Sequence, residues 1–564
     1  MKRTYLIGKI LLGGLFLIGI SQACTNLNEQ LYDQVTPESF LKGQDQFVSA
    51  LGSAYRSLSG YATGSIWELQ EVSTDELTCP TRGQNWDDGG EHRRVFEHNV
   101  NREDPEVIGS WQFIYAGVNN CNRNIDLFNG LVSKGQVDAS LAASYIAELK
   151  VLREFFYYLA LNDFGNVPVV TSFASAPAQP ATVKEKDVYT FIVNSLKENV
   201  PLLTRTKGGS AYGRMNYWAG RMLQAKLYQN AEVYTGTADW DDCIAMCDTI
   251  INGGGFDLES DFFANFSAAN TGTNEMIFAI PYDQVFFTGF NMSMSTLHYG
   301  NQDTYNLTSQ PWNGYCTLEE FYNSFEDKDI RKGDMGTLDG PAKKKGSFVA
   351  GYQFKADGVT PLNYAGYEKQ DPNNPDIPYD HYGPLVNLDP HLSELGPNEI
   401  AGAGARVGKW EFALGGTPDM SNDYAVFRYS DVLLMKAEAI WRKSGNSTDG
   451  TALALVNQVR ARAGVDALTT LDGPVNFDMS GPSVAGGELF NERGRELFDE
   501  QHRRMDLLRW GLFTKADPTG NMLAWGLPVF EVGDKYNLAN YTVLNPIPRA
   551  EIESDPNLQQ NPGY

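Results

Sequence analysis

Residues 142–168 read AASYIAELKVLREFFYYLALNDFGNVP, and their spacing decides the fold. Tyr145, Leu149, Leu152, Phe156 and Leu159 recur in steps of four and three, which lines one face of a helix. Phe164-Gly165-Asn166-Val167-Pro168 ends it, because glycine accepts a left-handed cap and proline cannot continue a helix. The helical period returns over 216–234, through Trp218, Met222, Ala225 and Tyr228. It returns from Trp240 to Ile251, which Gly253-Gly254-Gly255 closes. Further runs cover 429–443, 451–463 and 486–511. Ala219, Ala225, Ala231, Ala437 and Ala439 are small enough to let neighbouring helices approach. Helix pairs recurring at about 34 residues are TPR-like hairpins, so the spacing predicts a mainly α scaffold of stacked pairs.

Residues 256–425 break this pattern, being rich in Gly, Pro, Asn and Asp. So long a stretch is not one loop; it reads as an irregular lobe with short helices and strands. Hydrophobic residues at 42% and charged residues at 20% exclude a wholly disordered chain. The 70 acidic against 45 basic residues leave a formal charge of −25, which excludes sequence-independent nucleic-acid binding.

Lys2 and Arg3 followed by the apolar run Ile10–Ile20 read as an export signal, too short for a comfortable membrane span. Ser21-Gln22-Ala23-Cys24 then places a small residue before a cysteine, as in a bacterial lipoprotein signal, with Ser21 where leucine is usual. The expected division is a signal peptide over 1–23, a lipidated Cys24 with a tether over 24–45, and a body over 46–564. Cys79, Cys121, Cys243, Cys247 and Cys316 have no zinc spacing, and their pairing stays open.

No GxSxG elbow, Walker loop or HExxH motif occurs, and the histidines are scattered, so neither a catalytic motif nor a metal or cofactor site is expected. The run 488–510 is dense in charge, with Asp499/Arg503 and Glu500/Arg504 in favourable i,i+4 order on one expected helix. It reads as a stabilising ion-pair ladder, partly buried against the scaffold, with a ligand site as the alternative.

Several segments together resemble one family, the SusD/RagB surface glycan-binding lipoproteins of Bacteroidetes nutrient uptake. The C-terminal motif over 544–564 carries most of the resemblance: Asn545-Pro546-Ile547-Pro548-Arg549-Ala550-Glu551-Ile552, then Asn557-Leu558-Gln559-Gln560-Asn561-Pro562-Gly563-Tyr564. Asp555 stands where the family usually has Asn. Arg428–Ala439, Val456–Gly464, Glu492–Gly511, Leu152–Tyr157 and Phe164–Pro168 add to it, in family order. The resemblance implies about four TPR-like helix pairs, mainly over 46–255 and 426–515, with the irregular lobe at about 256–425. It also implies a non-catalytic lipoprotein on the outer face of the outer membrane. Such a protein binds oligosaccharide and delivers it to a SusC-like TonB-dependent transporter. A surface glycoside hydrolase and a RagB-type peptide binder are the alternatives.

The segment 74–90 is turn-rich and resembles the loop that carries sugar contacts in starch-type relatives. Trp86 would supply a flat face, and Arg82, Asp87 and Asp88 hydrogen bonds to hydroxyls; the alternative is Trp86 as a structural plug. A second candidate joins Trp312, Asn313 and Tyr315 with the upstream Tyr299, again against a core-plug alternative. Trp218, Trp410, Trp441 and Trp510 read as structural.

Overall fold

The computed structural model describes residues 44–83, 85–333, 346–363, 386–392, 399–475, 483–514 and 537–564. The expected signal segment, Cys24 and the tether as far as residue 43 lie outside the described residues; 44 and 45 already belong to helix α1, Gln44–Tyr55. There follow α2 (Ser65–Glu71), α3 (Glu91–Phe96), α4 (Pro105–Ser133), α5 (Ala139–Phe164) and α6 (Glu185–Asn199). Then come α7 (Tyr217–Gln229), α8 (Trp240–Gly253), α9 (Tyr429–Ser444), α10 (Gly450–Arg462), α11 (Gly487–Leu497) and α12 (Arg503–Arg509).

The helices pack as the period requires: α4 on α5, α5 on α6, α7 on α8 and α9 on α10. Helix α8 also packs on α9, which joins the two halves of the scaffold across the intervening lobe. Helix α5 starts where Asp138 accepts the Leu141 N–H at 2.9 Å and stops at Gly165, φ +61°. Its apolar stripe is wider than the spacing suggests, because residues 151–165 are buried on every side. Two elements differ from expectation. The run 216–234 breaks at Asn230 into α7 and a turn over Ala231–Thr235. The helices α4 and α6 lie inside the expected helical region 46–255, where the apolar period marks neither of them. Gly117 explains part of the disguise of α4: a Cβ there would lie 2.3 Å from the Phe156 ring, so close packing on α5 requires glycine.

The lobe leaves and re-enters the scaffold through one antiparallel ribbon. Strand β2 (Met276–Pro281) pairs with β4 (Asp423–Arg428), from Asp423 opposite Pro281 to Arg428 opposite Met276, with a bulge near Phe427. Phe155 of α5 packs against Phe278 and Phe427 of the two strands, at 5.8 and 6.0 Å between ring centres. Between them lies a second short pairing: β1 (Leu77–Thr78) with β3 (Cys316–Thr317). Residues 48–564 thus form one compact unit.

The charged run 488–510 corrects its reading. It is two helices, α11 and α12, separated by a turn in which Asp499 and Gln501 have φ of +57° and +61°. The i,i+4 ladder across 499–504 therefore does not form. Arg503 reaches Asp75 at 2.6 and 2.8 Å, and Arg504 donates to the carbonyls of Asn162 and Val543. Residues 489–507 are buried, and partners arrive from distant segments. Arg331 pairs with Glu492 and Glu496 at 2.7 and 3.1 Å; Arg428 pairs with Glu275, Glu496 and Glu500 at 2.9, 3.1 and 2.6 Å. Buried ions are tolerated only with such dense pairing.

The C-terminal segment docks, as expected, on the turn that ends α5. Asn561 donates to the carbonyls of Phe164 and Asn545, both at 2.8 Å, and Gln560 makes two 2.7 Å bonds to the Ile547 backbone. All five cysteines of the described residues are buried and unbonded.

Arg428→Leu takes one of their cations from three buried carboxylates, Glu275, Glu496 and Glu500. It is expected to destabilise the fold by about 3–5 kcal/mol, read as a lower urea midpoint. Stability should also peak at mildly acidic pH. Burial pushes Glu76 up to about 8 and Asp499 up to about 7. The folded chain holds protons there that the unfolded chain loses above about pH 4, so this stability is lost as pH rises towards 8. Burial lowers His98 to about 4 and His502 to about 3, so folded stability also falls as pH drops below about 6.5. Melting temperatures that rise between pH 6 and 9 would contradict the alkaline limb.

Candidate functional site

The β1–β3 pairing brings the two candidate segments, 74–90 and 310–315, side by side. They form the walls of one open cleft of about 410 Å³, lined by Asn85, Trp86, Asp88, Tyr299, Gln310, Pro311 and Trp312. Small-ligand sites span about 300–1,000 Å³.

Each wall is held by backbone. Arg82 and Asn85 exchange both main-chain hydrogen bonds, at 2.9 and 3.1 Å, in a tight turn that projects Trp86. Trp86 itself has φ +62°, a costly conformation for a bulky side chain. Two contacts hold it there. Its Nε1–H donates to the Trp312 carbonyl at 2.8 Å, and its indole lies on Gly314, where a Cβ would come within 2.4 Å of the ring. The opposite wall is pinned because the N–H groups of Trp312, Asn313 and Gly314 donate to the carbonyls of Met294, Leu297 and Ser295.

Four of the eight expected residues line the cleft: Trp86, Asp88, Tyr299 and Trp312. Trp86 is half-buried and Trp312 is 47% exposed, an open indole face on a rigid support. Asp87 is exposed but is not among the lining residues. The other three stand behind the wall. Arg82 is buried and spent on the carbonyls of Asn313, Ile400 and Ala403. Asn313 is fully buried, donating to the Ala401 carbonyl at 3.1 Å and accepting from Arg406 at 2.8 Å. Tyr315 is buried, donates its hydroxyl to Glu68 and packs edge-on against Trp86 at 5.5 Å. These three give the cleft its stiffness and offer a ligand nothing direct. Sequence reasoning passed over Asn85, Gln310 and Pro311, although the amides neighbour the two tryptophans. Asn85 Nδ2 donates to the Tyr299 hydroxyl at 3.1 Å.

Beneath the indole lies a dense acidic cluster around one imidazole. His92 stacks obliquely on Trp86 at 5.4 Å and holds Glu68 Oε1 with Nδ1 at 2.5 Å. Burial alone would lower its pKa, but Glu68, Glu106 and Glu91 outweigh burial and raise it to about 9. Burial, and then Glu68, push Glu106 up to about 8.

Residues 415–564 match the model of the SusD family. The chain is 25% identical over 488 residues to the starch-binding protein SusD of Bacteroides thetaiotaomicron, covering 80% of this chain and 78% of that one. It is 26% identical to SusD-like protein P2 of Formosa agariphila, over 96% of this chain and 97% of the relative. The chain is thus similar to the SusD family in its C-terminal part and to SusD-like relatives along most of its length. A solved structure, a laminarin binding SusD-like protein, superposes with a TM-score of 0.66 at 19% identity, over 93% of this chain and all of the other. At that identity the likeness concerns the fold, the TPR-like helical architecture of the SusD family. Among the described residues no helix is long and apolar enough to cross a membrane.

Gly314→Ala tests the seat of Trp86 in this cleft. The added methyl forces the indole off the Trp312 carbonyl, so the Trp86 indole N–H resonance should shift. Helical content should stay constant, at a stability cost of about 1–3 kcal/mol. An unmoved resonance would refute the described seat.

Proposed function

We propose that this chain is a non-catalytic, lipid-anchored outer-membrane protein that captures a neutral oligosaccharide and delivers it to a SusC-like TonB-dependent transporter. The observation that carries the reading is the pair Trp86 and Trp312. The Trp86 indole is held by the Trp312 carbonyl, the Trp312 backbone is pinned by Met294, and both side chains stand beside the amides of Asn85 and Gln310 and the hydroxyl of Tyr299. A sugar ring presents C–H groups on its faces and hydroxyls around its edge. Flat aromatic surface matches the first and planar amides match the second. The names of the starch-binding and laminarin-binding relatives support a glucan as the first ligand to try.

The cleft favours binding over hydrolysis. Asp88 is the only carboxylate among its lining residues, whereas glycoside hydrolysis ordinarily takes two, flanking the bond that breaks. The net charge of −25 disfavours polyanionic glycans by repulsion. Export on the lipid of Cys24 and handover to a transporter rest on the lipoprotein-like segment and on the resemblance to SusD-like proteins.

Calorimetric titration with malto- and laminari-oligosaccharides tests the proposal. Binding is expected, with Trp86→Ala and Trp312→Ala each weakening it at least tenfold. Trp312→Ala should leave the melting temperature nearly unchanged, because that indole is half exposed. Unchanged affinity in both variants would refute the cleft, and release of shorter sugars would replace binding with hydrolysis.

A further inference from the structure

Asp88, just before α3, and Glu91 and His92 in the first turn of α3 lie together at the rim of the cleft. Their ligating atoms converge within 4.8 Å of one another. His92 Nε2 stands 3.6 Å from Asp88 Oδ2 and 3.9 Å from Glu91 Oε1, too far for a hydrogen bond to either. Tetrahedral zinc with bonds of about 2.0–2.2 Å separates its ligand atoms by about 3.4 Å, so small side-chain rotations complete the set.

The arrangement behind the imidazole supplies an independent sign. His92 is 5% exposed, and its other nitrogen, Nδ1, holds the buried Glu68 carboxylate at 2.5 Å. Glu68 is fixed in turn by the Tyr315 hydroxyl. A carboxylate on one imidazole nitrogen sets the ring's orientation and directs the other nitrogen outward, as around metal-bound histidines. Here the outward nitrogen is Nε2, which makes no hydrogen bond and faces Asp88 and Glu91. Glu106 adds a further carboxyl group on the Glu68 side. Asp88 is 57% exposed and Glu91 18%, so an ion reaches the trio directly from solvent.

We infer that Asp88, Glu91 and His92 form a site for a borderline divalent cation of the zinc type, at the rim of the cleft. One imidazole with two carboxylates suits zinc and its transition-metal neighbours, whereas calcium prefers six or more oxygens. Glu68 is a positioning residue for the ring, outside the set that holds the ion. The site rests on this geometry alone and stands whether or not the cleft binds sugar. Asp88 belongs to both, so a bound cation would neutralise the one carboxylate that faces the ligand.

The test is calorimetric titration of the purified chain with Zn²⁺, and separately with Ca²⁺, in buffer free of chelating anions. One equivalent of Zn²⁺ is expected, with Ca²⁺ at least a hundredfold weaker. Asp88→Asn, at an exposed position, should weaken Zn²⁺ at least tenfold without changing the helical spectrum. His92→Gln should abolish it, and Glu68→Gln should weaken it ten- to hundredfold. Absence of zinc binding, or calcium binding tighter than zinc, would overturn the inference. So would a zinc isotherm that Asp88→Asn and His92→Gln leave unaltered, because the ion would then sit elsewhere.

Discussion

The carboxylate of Asp499 accepts two indole N–H bonds at 2.8 Å, one from Trp67 of α2 and one from Trp410 of the lobe. It is fully buried, in a left-handed turn between α11 and α12. That one acceptor joins three regions that are remote in sequence. The residues around it extend the pattern. Glu492, Glu496 and Glu500 draw in Arg331 and Lys409 from the lobe, Arg428 from its base and Arg460 and Arg462 from α10. Each buried ion is costly alone and tolerable only when its partners arrive. The helical scaffold and the lobe are therefore committed to one another, which is why residues 48–564 behave as a single unit.

The cleft inherits its stiffness from this arrangement. Its loops lack regular secondary structure over most of their length, yet buried Arg82, Asn313 and Arg406 tie them to the carbonyls of 400–404. Trp86 keeps a strained backbone because the surroundings leave its ring no other seat. A platform fixed in this way loses little freedom when a ligand arrives.

The helical scaffold was legible where apolar residues keep the period, as in α5 and α8 to α10. It was illegible in α4, whose Gly117, Asn120 and Asn122 imitate loop composition while serving close packing and part-buried hydrogen bonds. The charged run 488–510 looked half-solvated because sequence does not distinguish an ion facing water from an ion facing another ion. The two tryptophan segments of the cleft were also visible, as turn-rich stretches with aromatic residues. Their convergence was not, because it depends on two residue pairs between β1 and β3, separated by more than two hundred positions. Arg82, Asn313 and Tyr315 show the same limit: their chemistry suits a ligand, but burial directs it inward.

The five buried thiols bear on how the molecule fails as well as how it stands. While folded, all five are buried; burial holds Cys79, Cys121 and Cys316 in the thiol form, and the Cys243 neighbour together with burial does so for Cys247. Once the chain opens in an oxidising medium, the same thiols become ordinary and reactive, and random cross-links form between them. Opening is then a one-way passage, and the lifetime of the protein is set by the rate at which it first unfolds rather than by the balance between its two states.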